Sequence, residues 1–350
     1  MKTLLPALLL AASPAAPACD MMDYTRVKAS EHVQVFVAAE GTTGVVNGNI
    51  VAVMGRDATL VVDTGQFPSI ARRVVADLKA AGAAPVRHVV NTHWHGDHML
   101  ANSVFRDVYP GVRIYAHPHT IQQARRYYAD YATKMEKQLP EVMADMRKRL
   151  AATKSGDERV FLERTLACAE RAIPEIKETV LVEPDQPVER DVTLELGGVR
   201  ATIRHLGSGN TPGDIVVWVE TDRLVASGDM VVAPVPYAIG SDLEPWVATL
   251  DALARLDARV LVPGHGPVMA DGRYLADVRA LIASVRAQVA ALQAKGIDET
   301  AAAAQLDTAD FRARYIDTPM RRQAFDEFFV RPLVRKAWAD RKAAAKPPAS

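Results

Sequence analysis

Three imidazoles and a carboxylate lie within one short stretch of this chain, His93-Trp94-His95-Gly96-Asp97-His98. Histidine makes up only 9 of the 350 residues, so chance does not readily assemble such a pattern. Side chains of these types are costly to hold together unless a cation sits among them, and they are the types that bind zinc. In an irregular loop, residues two apart such as His93 and His95 can converge on one ion. Gly96 then lets the chain turn, so that Asp97 and His98 address a second. Two adjacent pairs point to two metal positions.

The elements around the stretch fit that use. Residues 86–91 form a β-branched run that predicts a buried strand, and Asp97 is a natural N-cap for a helix through about Ser103. The cluster therefore occupies a strand-to-helix loop. Upstream, β-branched runs at 33–37, 50–54 and 58–62, punctuated by Gly41, Gly44, Gly48 and Gly55, predict a meander of strands. Pro68 opens a predicted helix to about Ala81 with Ile70, Val74, Val75 and Leu78 on one face and Gly82 at its end. A strand at 112–116 closes the first sheet. From Thr120 to about Glu178 the pattern becomes long, charged and helical, with breaks expected near Pro140, at Ser155-Gly156 and at Pro174. Strands are expected again at 178–182, 192–196, 199–206, 215–219 and 224–226. A helix from about Pro245 then leads into a strand at 260–262. Residues 271–341 read as a helical extension and 342–350 as a frayed tail.

Four ordered motifs resemble those of the metallo-β-lactamase superfamily of metal-dependent hydrolases. Besides the histidine-rich loop they are Leu60-Val-Val-Asp-Thr-Gly65, Ser227-Gly-Asp229 and Pro263-Gly-His-Gly266, and together they span roughly residues 31 to 270. The resemblance implies an α/β fold, an αββα four-layer sandwich with the site at one edge, here in a domain of residues 19–270 carrying the helical insertion at about 120–178. It implies a first metal position at His93, His95 and residue 210, a second at Asp97, His98 and His265, and Asp229 bridging them. Position 210 departs from the pattern, because the usual Gly-His-Thr-x-Gly reads Gly209-Asn210-Thr211-Pro212-Gly213. An amide oxygen is a weaker ligand for zinc than imidazole, so the first position should bind less tightly than usual. His205, upstream on a predicted strand, is a minor candidate to replace the missing ligand.

The implied chemistry is hydrolysis by water that a metal activates, on a small ester-, thioester-, lactone- or lactam-like substrate, with β-lactam cleavage one possibility. Zinc is expected, one or two ions, with iron and manganese as alternatives. Asp97 is the candidate catalytic group, able to orient water or carry a proton. Asp63 either holds a ligating imidazole through its second nitrogen or stabilises a turn. Tyr237 is a candidate substrate contact. Tyr127, Tyr128 and Tyr131 read as packing more readily than as cleft-lining, and His117 and His119 read as structural. The rival reading is a non-catalytic metal-binding or sensor protein whose first site Asn210 has degraded.

Composition bounds the rest. Lys plus Arg equals Asp plus Glu at 42 each, which gives no electrostatic reason to expect nucleic acid, and no run is long enough to span a membrane stably. A small-molecule substrate is the expected partner, and the sequence leaves the oligomeric state open. Residues 1–18 combine a charged start, an apolar run and Ala16-Pro17-Ala18, the pattern of a cleaved export signal. Periplasmic or secreted localisation follows, with acylation at Cys19 ranked lower. Only Cys19 and Cys168 are present, so at most one intramolecular disulfide can form. Cys168 reads as a small core residue, not a thiolate ligand.

Overall fold

Alternation along the strands sorts the apolar residues into layers, as seen in a computed structural model that describes residues 19–41, 45–241 and 243–344. In β2 (Val33–Ala38), β3 (Ile50–Met54) and β4 (Thr59–Val62), Val33, Val35, Val51, Val53, Leu60 and Val62 face one way. Phe36, Ile50, Ala52 and Val61 face the other. A period-2 run buried on both faces requires a layer on each side. These strands lie in a seven-stranded sheet whose order follows the chain. It begins with β1 (Tyr24–Lys28) and ends with β5 (Val86–Val90), β6 (Arg113–Ala116) and β7 (Gln186–Pro187). The second sheet has the order β12-β11-β10-β9-β8 and comprises β8 (Val192–Glu195), β9 (Arg200–Arg204), β10 (Val216–Val219), β11 (Leu224–Val232) and β12 (Val260–His265).

Between the sheets, Ala201, Ile203, Val217, Val219, Leu224 and Ala226 meet the inward valines of the first sheet. The outer face of the first sheet is covered by α1 (Pro68–Ala80), α3 (Asn102–Val108), α5 (Tyr131–Ala152) and α6 (Gly156–Glu178). The outer face of the second is covered by α7 (Leu243–Ala254), α8 (Arg273–Ala294) and the C-terminal helices. The result is the expected helix-sheet-sheet-helix sandwich.

The short α2 (Gly96–Met99) starts on His95, so Asp97 lies inside the first turn instead of capping it. The insertion begins with α4 (Pro118–Tyr128), breaks before Tyr131 and again at 153–155, and runs unbroken through Pro140 and Pro174. Both prolines face solvent, where the carbonyl each leaves unpaired can bond to water. The strand expected at 178–182 does not form: α6 extends to Glu178, Val180 is exposed, and the edge beside β6 is taken by Gln186–Pro187. Conversely, β1 pairs with β2 where no strand was expected. Beyond α8 come α9 (Glu299–Gln305), α10 (Ala309–Tyr315), α11 (Pro319–Phe325), a π-helical turn at Asp326–Val330 and α12 (Arg331–Ala344). The start of the expected frayed tail at 342 is therefore still helical, and its last residues, like the proposed export signal at 1–18, lie outside the described residues.

Cys168 is fully buried, as a core residue should be, and it is also joined to Cys19 in a disulfide. The bond ties the first described residue to the middle of α6. Among the described residues no helix is long and apolar enough to cross a membrane.

Candidate metal centre

Parallel pairing aligns the ends of four strands. β4 and β5 run side by side in the first sheet, β11 and β12 in the second. Their carboxyl ends carry Asp63, residues 91–98 and His265, the last residue of β12, and the β11–β12 register shifts around Gly228 set Asp229 at an irregular step.

Five donors meet in a small space. His98 Nε2 lies 3.2 Å from His265 Nε2, 3.2 Å from Asp229 Oδ1 and 3.4 Å from Asp97 Oδ2. His265 Nε2 lies 3.1 Å from Asp97 Oδ2 and 3.5 Å from Asp229 Oδ1, and His93 Nε2 is 3.6 Å from Asp229 Oδ2. Two sets have all their donor atoms within 4.8 Å of one another: His93, His98 and Asp229, and Asp97, His98 and His265. His98 belongs to both. His95 belongs to neither, although its ring centroid is 4.6 Å from that of His93.

The surroundings fix this geometry. Asp63 Oδ2 is 2.7 Å from His98 Nδ1, which turns Nε2 toward the other donors. Asp63 in turn accepts from the Thr92 amide and hydroxyl, both at 2.8 Å. Its backbone is left-handed, with φ of 58°, a conformation that aspartate tolerates better than most residues. Asp63 thus both stabilises a turn and orients an imidazole. Thr64 donates its amide to the His98 carbonyl at 2.8 Å, and a buried Asn91–Asn102 pair braces the same segment. Glycine is required where strands approach the cluster. A Cβ on Gly48 would come within 2.4 Å of the His98 ring, and one on Gly264 within 1.9 Å of Asp229 Oδ1.

The electrostatics follow from packing carboxylates and imidazoles together out of water. Burial opposes charge on His98, yet Asp229, Asp97 and Asp63 hold its pKa well above the usual histidine range. Burial also works against charge on Asp97 and Asp229, and the neighbouring imidazoles nevertheless hold both carboxyls below the usual range. His93 and His95 are pushed down, by burial first, and favour the neutral form that binds metal.

Position 210 is placed on the loop after β9, and its side chain is 1% exposed. Both amide atoms of Asn210 lack a hydrogen-bond partner, and so does the buried Nε2 of His93. Orphaned polar atoms of this kind are rare in protein interiors and call for an unseen partner. With the imidazole and carboxylate donors around it, the orphaned His93 nitrogen fits a bound divalent ion such as zinc.

The other histidines stay apart from this cluster. His117 caps α4, accepting the His119 amide at 3.1 Å, and its ring stacks 4.5 Å from that of His205. His205 Nε2 faces the Pro212 carbonyl at 3.2 Å, so its ring is committed to the α4 junction and does not stand in for a ligand at 210. The tyrosines of the insertion pack as expected, Tyr131 against the outer core of the first sheet, and they also border the histidine-rich loop. Tyr127 stacks on Trp94, Tyr131 accepts from Gln66 at 3.3 Å, and the Tyr128 hydroxyl is 3.2 Å from where a Gly96 Cβ would stand. Asp214, directly after the Gly209–Gly213 motif, carries no signal in the sequence. Asp214 is buried, accepts from Thr211 and has its second oxygen unpartnered.

Comparison with known proteins agrees with this architecture. A family model described as the metallo-beta-lactamase superfamily matches residues 43–265. The linear primary-alkylsulfatase of Pseudomonas sp. (strain ATCC 19151) is 22% identical over 221 residues, 60% of this chain and 40% of that protein. Metallo-beta-lactamase type 2 of Bacteroides fragilis is 32% identical over 96 residues, 26% of this chain and 39% of that protein. The matches thus span about 40% of the length of these curated relatives. Among solved structures, the metallo-beta-lactamase from Pontibacter korlensis aligns with a TM-score of 0.53 at 19% identity, covering 75% of this chain and 99% of that one. The metallo-beta-lactamase FIM-1 from Pseudomonas aeruginosa, in its mono-zinc form, aligns at 0.53 with 18% identity, covering 77% of this chain and 97% of that one. At such identities the likeness establishes the fold.

Proposed function

The chain belongs to the metallo-beta-lactamase superfamily, and on that premise we propose that it is an exported metal-dependent hydrolase acting on a small ester-, thioester-, lactone- or lactam-like substrate. The observation that carries this reading is the meeting of His98, His265, Asp97 and Asp229 at 3.1–3.5 Å, with the orphaned nitrogen of His93 3.6 Å from Asp229. A divalent ion held among such donors supplies water with a pKa of about 7 and a Lewis acid for the scissile group.

The protein's own groups do the rest. Asp63 keeps His98 Nε2 pointed inward through the 2.7 Å contact to its other nitrogen. Asp97, in the second loop pair, is the carboxylate we assign to orient water and to pass a proton to the leaving group. The proposed ligands are His93, His95 and Asn210 at one position and Asp97, His98 and His265 at the other, with Asp229 between them. Zinc is the expected ion, because the set is rich in imidazole.

Export is supported by the signal-like residues 1–18 and by the disulfide, a bond typical of oxidising compartments. The same bond engages the Cys19 sulfur and argues against its acylation. The names of the curated relatives cover both a sulfatase and a β-lactamase, so the shared fold does not select a reaction.

The test is a panel of esters, thioesters, lactones and a chromogenic cephalosporin, assayed with zinc and after chelation. Turnover that chelator abolishes and zinc restores is expected for at least one class. The replacement of histidine by Asn210 favours a second reading, a metal-binding protein with little activity. In that case no panel member turns over and Asn210→His leaves this unchanged.

A further inference from the structure

Five rings form an unbroken row across the candidate centre. Tyr127 lies 4.6 Å from Trp94 with planes 13° apart, Trp94 lies 4.5 Å from His95, His95 lies 5.9 Å from Tyr237, and Tyr237 lies 5.9 Å from Phe328. Four parts of the chain contribute to it: α4 of the insertion, the histidine-rich loop, the segment after β11 and the C-terminal extension. The last two are joined by a backbone bond from the Ala238 amide to the Phe328 carbonyl at 2.8 Å. Phe328 belongs to the π-helical turn, a distortion that recurs at functional sites.

The molecule also shows how it treats rings used only for packing. Phe325 and Phe329, flanking Phe328, are 0% exposed, whereas Tyr127 is 46% exposed and Trp94, Tyr237 and Phe328 are partly so. Apolar faces left in water beside a polar cluster mark a binding surface. A near-parallel Trp–Tyr pair offers a flat face that a second flat group can extend.

We propose that this row binds the aromatic portion of the substrate, which is then an ester or amide bearing an aryl or arylalkyl group. The proposal rests on the hydrolase reading for the word substrate, but the binding surface can be tested without turnover.

In the full chain, quenching of tryptophan fluorescence should show 2-naphthylacetamide binding about ten-fold more tightly than hexanamide, with or without zinc. Tyr127→Ala and Phe328→Ala should each weaken the naphthyl amide about three- to ten-fold. If Phe328→Ala does not fold, Tyr127→Ala, at an exposed position, decides the matter. In a second arm, kcat/KM for ethyl 2-naphthylacetate should exceed that for ethyl hexanoate about ten-fold, and the ratio should fall toward one in the Tyr127 variant. Aromatic binding without turnover of any ester supports the row and counts against the hydrolase. Turnover with no preference for the naphthyl ester, or naphthyl binding untouched by both variants, overturns the row and leaves the hydrolase standing.

Discussion

Asp63 bears on whether His98 can serve as a ligand at all. Its carboxylate is 2.7 Å from His98 Nδ1, and the left-handed backbone at this position puts it there. Asp63→Ala should free the ring to rotate and weaken zinc binding about ten- to a hundred-fold, read by competition with a chromogenic chelator. Unchanged affinity would confine Asp63 to the turn. Asp214 makes a different claim. Burial raises its carboxyl from 3.8 to about 7, with the charge of Asp229 adding to the shift and Thr211 opposing it. The folded chain therefore holds this proton more tightly than the unfolded chain does. The stability the proton contributes is complete below 3.8 and is lost as pH rises through about 7. The shift corresponds to about 4 kcal/mol. Asp214→Asn keeps an acceptor for Thr211 and should flatten this part of the melting-temperature profile between about pH 4 and 7, with a gain at the alkaline end. A profile that keeps the wild-type slope would contradict the assignment. The meeting of His93, Asp97, His98, Asp229 and His265 was legible because donor types cluster or fall in ordered motifs, whereas His95, equally prominent in the loop, joins neither donor set. The orphaned oxygen of Asp214 was not legible, since nothing in a motif shows which atoms burial leaves unpaired.

Period-2 runs such as 33–37, 50–54 and 58–62 were legible as strands because each is buried on both faces. Elements that depend on neighbours were not. Residues 178–182 alternate like a strand but emerge from α6 with the adjacent edge already filled, and β1 exists because β2 offers it a partner. Pro140 and Pro174 suggested breaks, yet α5 and α6 pack along each other and keep both prolines on the wet side. The disulfide is the remaining feature at this scale. It closes 149 residues of chain, and by the loop-entropy account its removal costs about 5 kcal/mol. Replacing both cysteines with alanine should lower the denaturant midpoint accordingly, and adding a reductant should reproduce the effect on the wild type but not on the variant. Equal midpoints for the two proteins would show that the bond does not constrain the unfolded chain.

Across the whole molecule, two sheets are pressed together so that the carboxyl ends of two parallel strand pairs converge at one edge, and the metal-ligand types accumulate there. The sandwich and its site edge were implied by the resemblance of four motifs, and the family match over residues 43–265 establishes the membership. The two helical additions were legible as helices, but not for where they reach: α4 brings Tyr127 to Trp94, and the C-terminal extension brings Phe328 to Tyr237. The central claim is that the polar cluster at this edge exists to hold metal. Elemental analysis of the purified chain, after dialysis against zinc and then against zinc-free buffer, tests it most directly. The account predicts about one to two equivalents of retained zinc, the more weakly held one rising in occupancy in Asn210→His, and retention largely lost in a folded His98→Ala variant. A wild-type chain that retains no zinc, or a His98→Ala chain that retains as much as the wild type, would contradict it.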